Sequence, residues 1–148
     1  NTIINDVLGY SNFQFVQESI LNPLKLKNTY SSINDVNPDD IMSGYHVGHP
    51  FDLKGDDYGT IATAEDVGIF LRALNDGSIF EPGEQDIYSS IYEFEHSGWV
   101  PGYQSFANYD KDLDAVAISF YSKQIQNCTI GICRKSLIIG FLGYLKCK

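Results

Sequence analysis

The chain has 148 residues, a net charge of −9 at pH 7 and a hydrophobic content of 43%. This length and composition predict one folded domain with a sizeable core and exclude a disordered chain. The acidic balance gives no electrostatic support for binding nucleic acid or an anionic membrane surface, and no apolar run is long enough to cross a bilayer.

The N-terminal segment, residues 1–27, predicts two helices with a break between them. The second helical period starts near Phe13 and is expected to end at Pro23, because proline disrupts a helix interior. The first rests on an apolar stripe that stops at Gly9, a natural helix end: Ile3, Ile4, Val7 and Leu8. Because the chain opens at Asn1 without a methionine, we expect a processed or excised piece of a longer protein.

A long polar segment and one clear helix follow. Residues 28–58 are rich in Asn, Asp, Ser and Gly and predict a loop that covers a site or packs over a core. Thr63 is a predicted N-cap, with Glu65 and Asp66 in the first helical turn, where acids are favoured. We expect such acids to be solvated or capping. Gly77 ends the helix, residues 81–90 predict a polar connection, and the buried stripe is Val67, Phe70, Leu71 and Leu74.

The apolar period changes near residue 91. Three segments with strand character predict an antiparallel meander: Ile91 to His96, Gly102 to Tyr109, and Asp114 to Tyr121. A final apolar stripe predicts a helix from Arg134 to Lys146 that packs on the sheet. Helices, then three strands, then a helix make an α+β fold.

The sequence predicts no metal site and no cofactor. The cysteines lack metal-ligand spacing with histidine, and sequence alone leaves their disulfide state open: Cys128, Cys133 and Cys147. His46 and His49 are interpreted as surface loop histidines. Asn127-Cys-Thr129 matches a glycosylation sequon, which matters only in a eukaryotic secreted protein.

Four segments, in this order, resemble serine β-lactamase and penicillin-binding-protein-type hydrolases. Gly9 to Thr29 is similar to a helix and turn ending "I-L-x-P-L-G-L-x-x-T", and Gly44-Tyr45 to a "G-Y" in the loop beyond it. Gly59 to Leu74 resembles "G-x-x-S-T-A-x-D-L-x-x-F-x-x-A-L", and His96-Ser-Gly-Trp-Val-Pro-Gly-Tyr103 resembles "H-T-G-x-x-P-G-F". The resemblance covers most of the chain, and its order and spacing make it specific.

The resemblance implies the C-terminal part of a two-lobed protein with a partial β-lactamase/transpeptidase-like fold. Residues 1–90 would belong to the helical lobe and residues 91–148 to the sheet lobe, within a single partial domain. The implied chemistry is acyl-enzyme hydrolysis of a β-lactam, a D-Ala-D-Ala peptide or an ester. Deacylation would use water, and no metal or organic cofactor is implied.

The nucleophile of such an enzyme is absent from the chain. The family uses a serine with a lysine three residues later, and no Ser or Thr here has a Lys at that offset. Tyr10-Ser-Asn12 matches the family's Tyr-x-Asn string, but it lies too close to Ile20 to be that element. We interpret it as a decoy in the loop after the first helix, so no catalytic residue is assigned in this chain.

The element that lines the substrate site is present. By the resemblance, His96 and Ser97 would face the substrate, and Gly98 would allow its close approach to the backbone. The backbone N–H of Trp99 would be one of two oxyanion donors. The large side chain of Trp99 is expected to narrow the cleft. Without the resemblance, the same string predicts a strand that enters a turn at Pro101-Gly102.

Three hypotheses follow. The first is part of a serine hydrolase whose upstream segment supplies Ser-x-x-Lys and Tyr-x-Asn and which binds a small-molecule or peptide substrate. The second is a non-catalytic binding or structural remnant. The third is a homodimer or an assembly complemented by an N-terminal segment, because residues 114–121 would present an open strand edge. The compartment is unknown, although the resemblance favours an extracytoplasmic location.

Overall fold

The computed structural model describes residues 2–91, 95–124 and 145–146. The helices are α1 (Thr2–Leu8), α2 (Asn12–Val16), α3 (Asn22–Leu24), α4 (Ala64–Asp76) and α5 (Glu84–Ser89). The strands are β1 (Thr29–Tyr30), β2 (Tyr45–His46), β3 (Ile61–Ala62), β4 (Glu95–Val100), β5 (Tyr103–Asp110), β6 (Ala115–Tyr121), β7 (Lys123–Gln124) and β8 (Leu145–Lys146). The predicted α+β class is confirmed. Among the described residues, no helix is long and apolar enough to cross a membrane.

The N-terminal helices follow the predicted break, with one correction. Helix α1 ends at Gly9, whose φ of 75° lies in the left-handed region that glycine tolerates. The prediction that Pro23 ends the second helix is wrong. A π-helical turn, Gln17–Leu21, leads directly into α3, where Pro23 occupies one of the first positions and costs little. The helix ends instead at Lys25, with φ 58°.

Helix α4 begins and ends where the sequence predicts. The side chain of Thr63 accepts a hydrogen bond from the backbone N–H of Asp66, and Gly77 ends the helix with φ 81°. Of the stripe predicted to be buried, Leu71 is buried, whereas Val67, Phe70 and Leu74 are half-buried. The polar connection predicted at residues 81–90 contains helix α5, which the sequence reasoning missed because its exposed polar residues carry no apolar stripe.

The main sheet has the strand order β4-β5-β6-β8, and its three long strands form the predicted antiparallel meander. The first strand lies later than predicted, since Ile91 is in a turn and residues 92–94 lie outside the described residues. Pro101-Gly102 is the turn between β4 and β5, as the sequence indicates. Two small two-stranded sheets pair β1 with β3 and β2 with β7.

Helix α4 packs on the main sheet. Gly68 lies against Ile118 of β6, where an added Cβ would stand 3.4 Å from the Ile118 Cδ1 atom. Further along the helix, the guanidinium of Arg72 donates through its Nε and Nη2 atoms to the carboxylate of Asp114, just before β6. The buried apolar side chains of the described residues are Leu21, Leu26, Leu53, Leu71, Ala73 and Tyr109.

The C-terminal part of the chain corrects one prediction and leaves others outside the described residues. Leu145–Lys146 form strand β8, which pairs with Ala115 and Val116 of β6, so these two residues are not helical. The remainder of the predicted helix from Arg134 lies outside the described residues, as do Asn127, Cys128, Cys133 and Cys147. The edge of β6 predicted to be open is therefore occupied at its first two residues.

Candidate functional site

The four predicted site residues lie together on β4, at an edge of the main sheet as the described part of the chain has it. All four are exposed. Successive side chains of a strand point to opposite faces, so Ser97 and Trp99 share one face while His96 and Gly98 share the other. The second face is the one that α4 covers, because His96 pairs through Ala107 with Ile118.

The strand register determines where the backbone donors of β4 point. Val100 and Tyr103 are register partners that flank a two-residue turn, and in such a hairpin the flanking residues are the hydrogen-bonded pair. Hydrogen-bonded and non-hydrogen-bonded pairs alternate along an antiparallel ladder, so the pair of Trp99 with Gln104 is a non-hydrogen-bonded one. The backbone N–H groups of Trp99 and Ser97 therefore point away from β5, toward the outer edge of the sheet.

Gly98 has a packing reason to be glycine. It lies directly opposite Ser105 on β5, and a Cβ at this position would stand 2.6 Å from the Ser105 Oγ atom. A larger residue would force Ser105 aside. The close approach that the sequence predicted at Gly98 is thus made by a neighbouring strand, and approach of a substrate there stays a prediction.

A pinned loop, residues 42–53, lies beside the start of β5. The phenol of Tyr103 donates a 2.8 Å hydrogen bond to the carbonyl oxygen of Met42. A Cβ on the buried Gly44 would overlap the Tyr103 ring, so only glycine fits beneath it. Leu53 closes the loop, because its N–H donates to the Gly44 carbonyl at 2.9 Å and its side chain is 2% exposed.

Hydrogen bonds stabilise the negative charge of Asp52 within the pinned loop. The Asp52 carboxylate accepts from the N–H groups of Gly44 (2.9 Å) and Lys54 (3.0 Å). Burial opposes ionisation of Asp52, but hydrogen bonds from Ser43 and from these two N–H groups outweigh it and lower the pKa. Burial, followed by the nearby carboxylate of Asp52, raises the pKa of Tyr103 to about 12. Tyr103 therefore stays protonated and acts as a donor that anchors the loop.

An aromatic cluster connects the loop to the site strand; we define it as His46, His49, Phe51 and Trp99. The ring centroids of Trp99 and His46 are 6.3 Å apart, those of His46 and His49 are 5.2 Å apart, and those of His49 and Phe51 are 5.6 Å apart. All three contacts are edge-to-face, the arrangement that aromatic quadrupoles favour. Trp99 is 56% exposed and Phe51 57% exposed, so the cluster presents a wide apolar surface to solvent.

Sequence reasoning predicted only part of this site. It identified β4 and treated His46 and His49 as surface loop residues, without a link to Trp99. It missed Tyr103 as an anchor of the pinned loop. The hydrogen bond from Tyr103 to Met42 spans a sequence separation of 61, and no local pattern predicts a contact over that distance. Within residues 2–91, 95–124 and 145–146, no group of three or more His, Cys, Asp or Glu side chains is arranged to hold a metal ion.

The Tyr10-Ser-Asn12 string forms a helix-capping turn. The side chain of Ser11 caps α2 by accepting from the Gln14 N–H at 3.1 Å. The Asn12 N–H donates to the side chain of Asn5 at 2.7 Å. Tyr10 lies between α1 and α2, in the loop where the decoy interpretation put it.

The sequence matches no protein-family model and no curated protein sequence. The fold does match solved structures. D-amino acid amidase from Ochrobactrum anthropi SV3, complexed with L-phenylalanine amide, aligns with a TM-score of 0.63 and 20% identity over 85% of this chain and 48% of its own. The same amidase with D-phenylalanine gives a TM-score of 0.63 and 22% identity over 89% and 54%. A D-stereospecific amidohydrolase from Streptomyces sp. gives 0.67 and 19% over 82% and 46%.

This chain spans about half the length of the proteins it matches. The resemblance seen in the sequence is confirmed at the level of fold. At sequence identities of 19% to 22%, the structural match shows the fold alone. The chain has a partial β-lactamase-like fold.

Proposed function

We propose that this chain supplies the oxyanion side of a serine hydrolase site that cleaves an amide or ester bond through an acyl-enzyme. The observation that carries the proposal is the β4–β5 register, which by the alternation of pair types directs the Trp99 N–H away from β5. An N–H in this position is a suitable donor to the oxygen of a substrate carbonyl as charge develops on it. The nucleophilic serine and its lysine would come from a segment upstream of Asn1.

The resemblance and the fold support the same proposal independently. The residues His96 to Trp99 stand in the sequence where the family has its site-lining strand, and among the described strands β4 lies at an edge of the sheet. The solved structures with this fold include a D-amino acid amidase and a D-stereospecific amidohydrolase. A small amide is therefore the preferred substrate class, ahead of a β-lactam or a D-Ala-D-Ala peptide.

A matched pair of variants tests the donor directly. Trp99→Ala removes the indole and keeps the backbone N–H, whereas Trp99→Pro removes both. Proline is tolerated on an edge strand where the missing N–H faces outward, so the β4–β5 ladder should survive. Thermal unfolding of both variants checks this point.

Hydrolysis is measured on the polypeptide encoded with its upstream segment, with a small amide as substrate. Loss of one oxyanion donor lowers kcat by roughly 10²–10³-fold in other enzymes. We expect Trp99→Pro to be slower than Trp99→Ala by this factor. Equal rates in two equally stable variants would rule out the Trp99 N–H as a donor.

A non-catalytic role is the second candidate, since the 148 residues contain no Ser or Thr followed three residues later by Lys. An upstream coding sequence that also lacks Ser-x-x-Lys would favour this role. Self-association through the remaining edge of β6 stays a prediction of the sequence. Light scattering of the purified chain checks it, with a dimer expected and a monomer at high concentration counting against it.

A further inference from the structure

We propose that the pinned loop packs against the β4–β5 turn and thereby holds the Trp99 N–H in place, with Tyr103 and Leu53 as the positioning residues. The inference rests on the proposed function, in which this N–H is the oxyanion donor, and adds what fixes the donor. Neither side chain contacts the substrate in this role. Each acts through the turn at Pro101-Gly102, which only Val100 separates from Trp99.

The neck of the pinned loop, defined as Gly44 and Leu53, is closed by hydrogen bonds. The Leu53 N–H donates to the Gly44 carbonyl at 2.9 Å, and the Gly44 N–H donates to the Asp52 carboxylate at 2.9 Å. The same carboxylate oxygen accepts from the Lys54 N–H at 3.0 Å. The geometry of the neck is therefore fixed by hydrogen bonds within the loop itself.

The β4–β5 turn packs on this neck. Gly102 has a φ of 85°, and a Cβ built on it would stand 3.1 Å from the Leu53 Cδ1 atom and 3.2 Å from the Gly44 carbonyl carbon. Leu53 is 2% exposed, so this contact lies in the interior of the protein. The turn and the neck are thus packed closely enough that movement of one requires movement of the other.

Tyr103 anchors the other side of the turn to the same loop. Its phenol donates a 2.8 Å hydrogen bond to the Met42 carbonyl, and its ring lies over Gly44. Tyr103 is also the register partner of Val100, the neighbour of Trp99. One residue therefore connects the loop to the pair from which the direction of the Trp99 N–H follows.

Loosening this loop–turn contact should affect the donor more than the fold. The pair of Trp99 with Gln104 lies next to the turn, and the ends of strand pairs open more readily than their centres. A displacement of about 1 Å in a catalytic site can cost about 10²-fold in rate. A donor that acts in the transition state changes kcat when it is displaced, whereas ground-state binding of the substrate changes little.

Two matched tyrosine variants test the loop–turn contact. Tyr103→Phe removes the hydrogen bond to Met42 and keeps the ring over Gly44. Tyr109→Phe removes a 3.0 Å hydrogen bond to Asp114 from the same strand, at the end away from the turn. Each variant loses one phenol hydrogen bond, so a merely structural role predicts the same effect for both.

Amide hydrogen exchange on the purified chain measures the contact without any need for hydrolysis. We expect the Val100 N–H to exchange roughly threefold to tenfold faster in Tyr103→Phe than in the parent, the change that one lost hydrogen bond implies. Tyr109→Phe should leave the exchange of Val100 unchanged. Equal acceleration in both variants, or none in Tyr103→Phe, would overturn the inference.

Kinetics of the polypeptide encoded with its upstream segment test the step from the turn to the donor. With a small amide as substrate, Tyr103→Phe should lower kcat by about tenfold and leave KM within about twofold, whereas Tyr109→Phe should keep both. Leu53→Ala should lower kcat at least as much, and Leu53→Met, which restores the volume, should recover most of the rate. A loss through KM alone, or equal losses of kcat in both tyrosine variants, would contradict a positioning role.

The two measurements separate this inference from the proposed function. Faster exchange of Val100 in Tyr103→Phe and not in Tyr109→Phe, together with a parent polypeptide that never hydrolyses an amide, would sink the hydrolase proposal and leave the loop–turn contact standing. Hydrolysis by the parent with an unchanged kcat in Tyr103→Phe would sink the positioning role and leave the hydrolase standing.

Discussion

The hydroxyl of Thr29 donates a 2.8 Å hydrogen bond to the carboxylate of Asp66. The same carboxylate oxygen accepts from the Asn28 N–H at 2.8 Å, and Asp66 is 4% exposed. Thr29 closes the first segment that resembles the hydrolase family, and Asp66 lies in the third. The two segments therefore meet at one buried carboxylate, which corrects the expectation that acids in the first turn of α4 are solvated or only capping.

Replacing Asp66 should destabilise the fold. Asp66→Ala leaves the Asn28 N–H and the Thr29 hydroxyl without their acceptor, and we expect a loss of about 2–4 kcal/mol in the free energy of unfolding. Glu65→Ala is the matched control, since Glu65 is exposed in the same helical turn, and it should lose less than about 0.5 kcal/mol. Urea unfolding measures both, and equal losses would show that the buried carboxylate is not a structural link.

The contact between Gly44 and Tyr103 should tolerate no side chain. Gly44→Ala would force its Cβ into the Tyr103 ring, and we expect a loss of about 1–3 kcal/mol in the free energy of unfolding. Gly55→Ala is the matched control, because a Cβ at Gly55 meets nothing within 4 Å. Thermal unfolding compares the two, and a Gly44→Ala protein as stable as Gly55→Ala would refute this packing.

Tyr103 should stabilise the chain in a pH-dependent way. At pH 7, Tyr103→Phe should cost about 0.5–1.5 kcal/mol through the lost hydrogen bond to Met42. Because the folded-state pKa of Tyr103 is raised from 10.0 to about 12, its contribution is complete below pH 10 and is lost as the pH rises through 12. The stability difference between parent and variant should narrow over this range. A difference that stays constant from pH 9 to 12 would argue against the raised pKa.

Asp114 should stabilise the fold at neutral pH and lose this contribution at acidic pH. Hydrogen bonds from Arg72 and then from Tyr109 lower its pKa below 3.8, so its contribution is complete above that value and is lost as the pH falls through the folded-state pKa. Both partners of the ion pair are partly exposed, at 36% and 45%, so solvent screens the pair and the loss of stability from Asp114→Asn at pH 7 should be small.

The Asp114→Asn change is conformationally mild, because asparagine tolerates the left-handed backbone found here, with φ 45°. Asp112→Asn, in the same exposed turn, provides the control. Urea unfolding from pH 7 down to pH 2 should show the Asp114→Asn deficit disappear. A deficit that persists at the lowest pH would contradict the role given to the ionised carboxylate.

Local patterns predicted the regular elements well. Period-two alternation located β6 within one residue, and Thr63 and Gly77 marked the ends of α4 because capping chemistry is local. The residues that the sequence could not place depend on distant partners. Tyr103 is an ordinary strand residue until Gly44 is packed beneath it, and Pro23 is a helix breaker until a π-helical turn precedes it.

In the candidate site, too, local features could be predicted from the sequence and contacts between distant residues could not. The segment His96 to Trp99 could be identified from its sequence, and the family resemblance predicted that it forms a strand. The amino-acid sequence does not determine which residues of β4 and β5 pair. The orientation inferred for the Trp99 N–H depends on the pairing of Val100 with Tyr103. The aromatic cluster required a loop and a strand that lie about 50 residues apart to meet, which no local pattern encodes.

In the proposed enzyme, these 148 residues supply the oxyanion donor and an upstream segment supplies the attacking serine. Intact-mass spectrometry after incubation with a fluorophosphonate tests it most directly, on the chain alone and on the polypeptide that includes the upstream coding sequence. The account predicts no adduct on the chain alone and one adduct on the longer polypeptide, at a serine upstream of Asn1 that is followed three residues later by lysine. A stoichiometric adduct on any serine within the chain itself would contradict it.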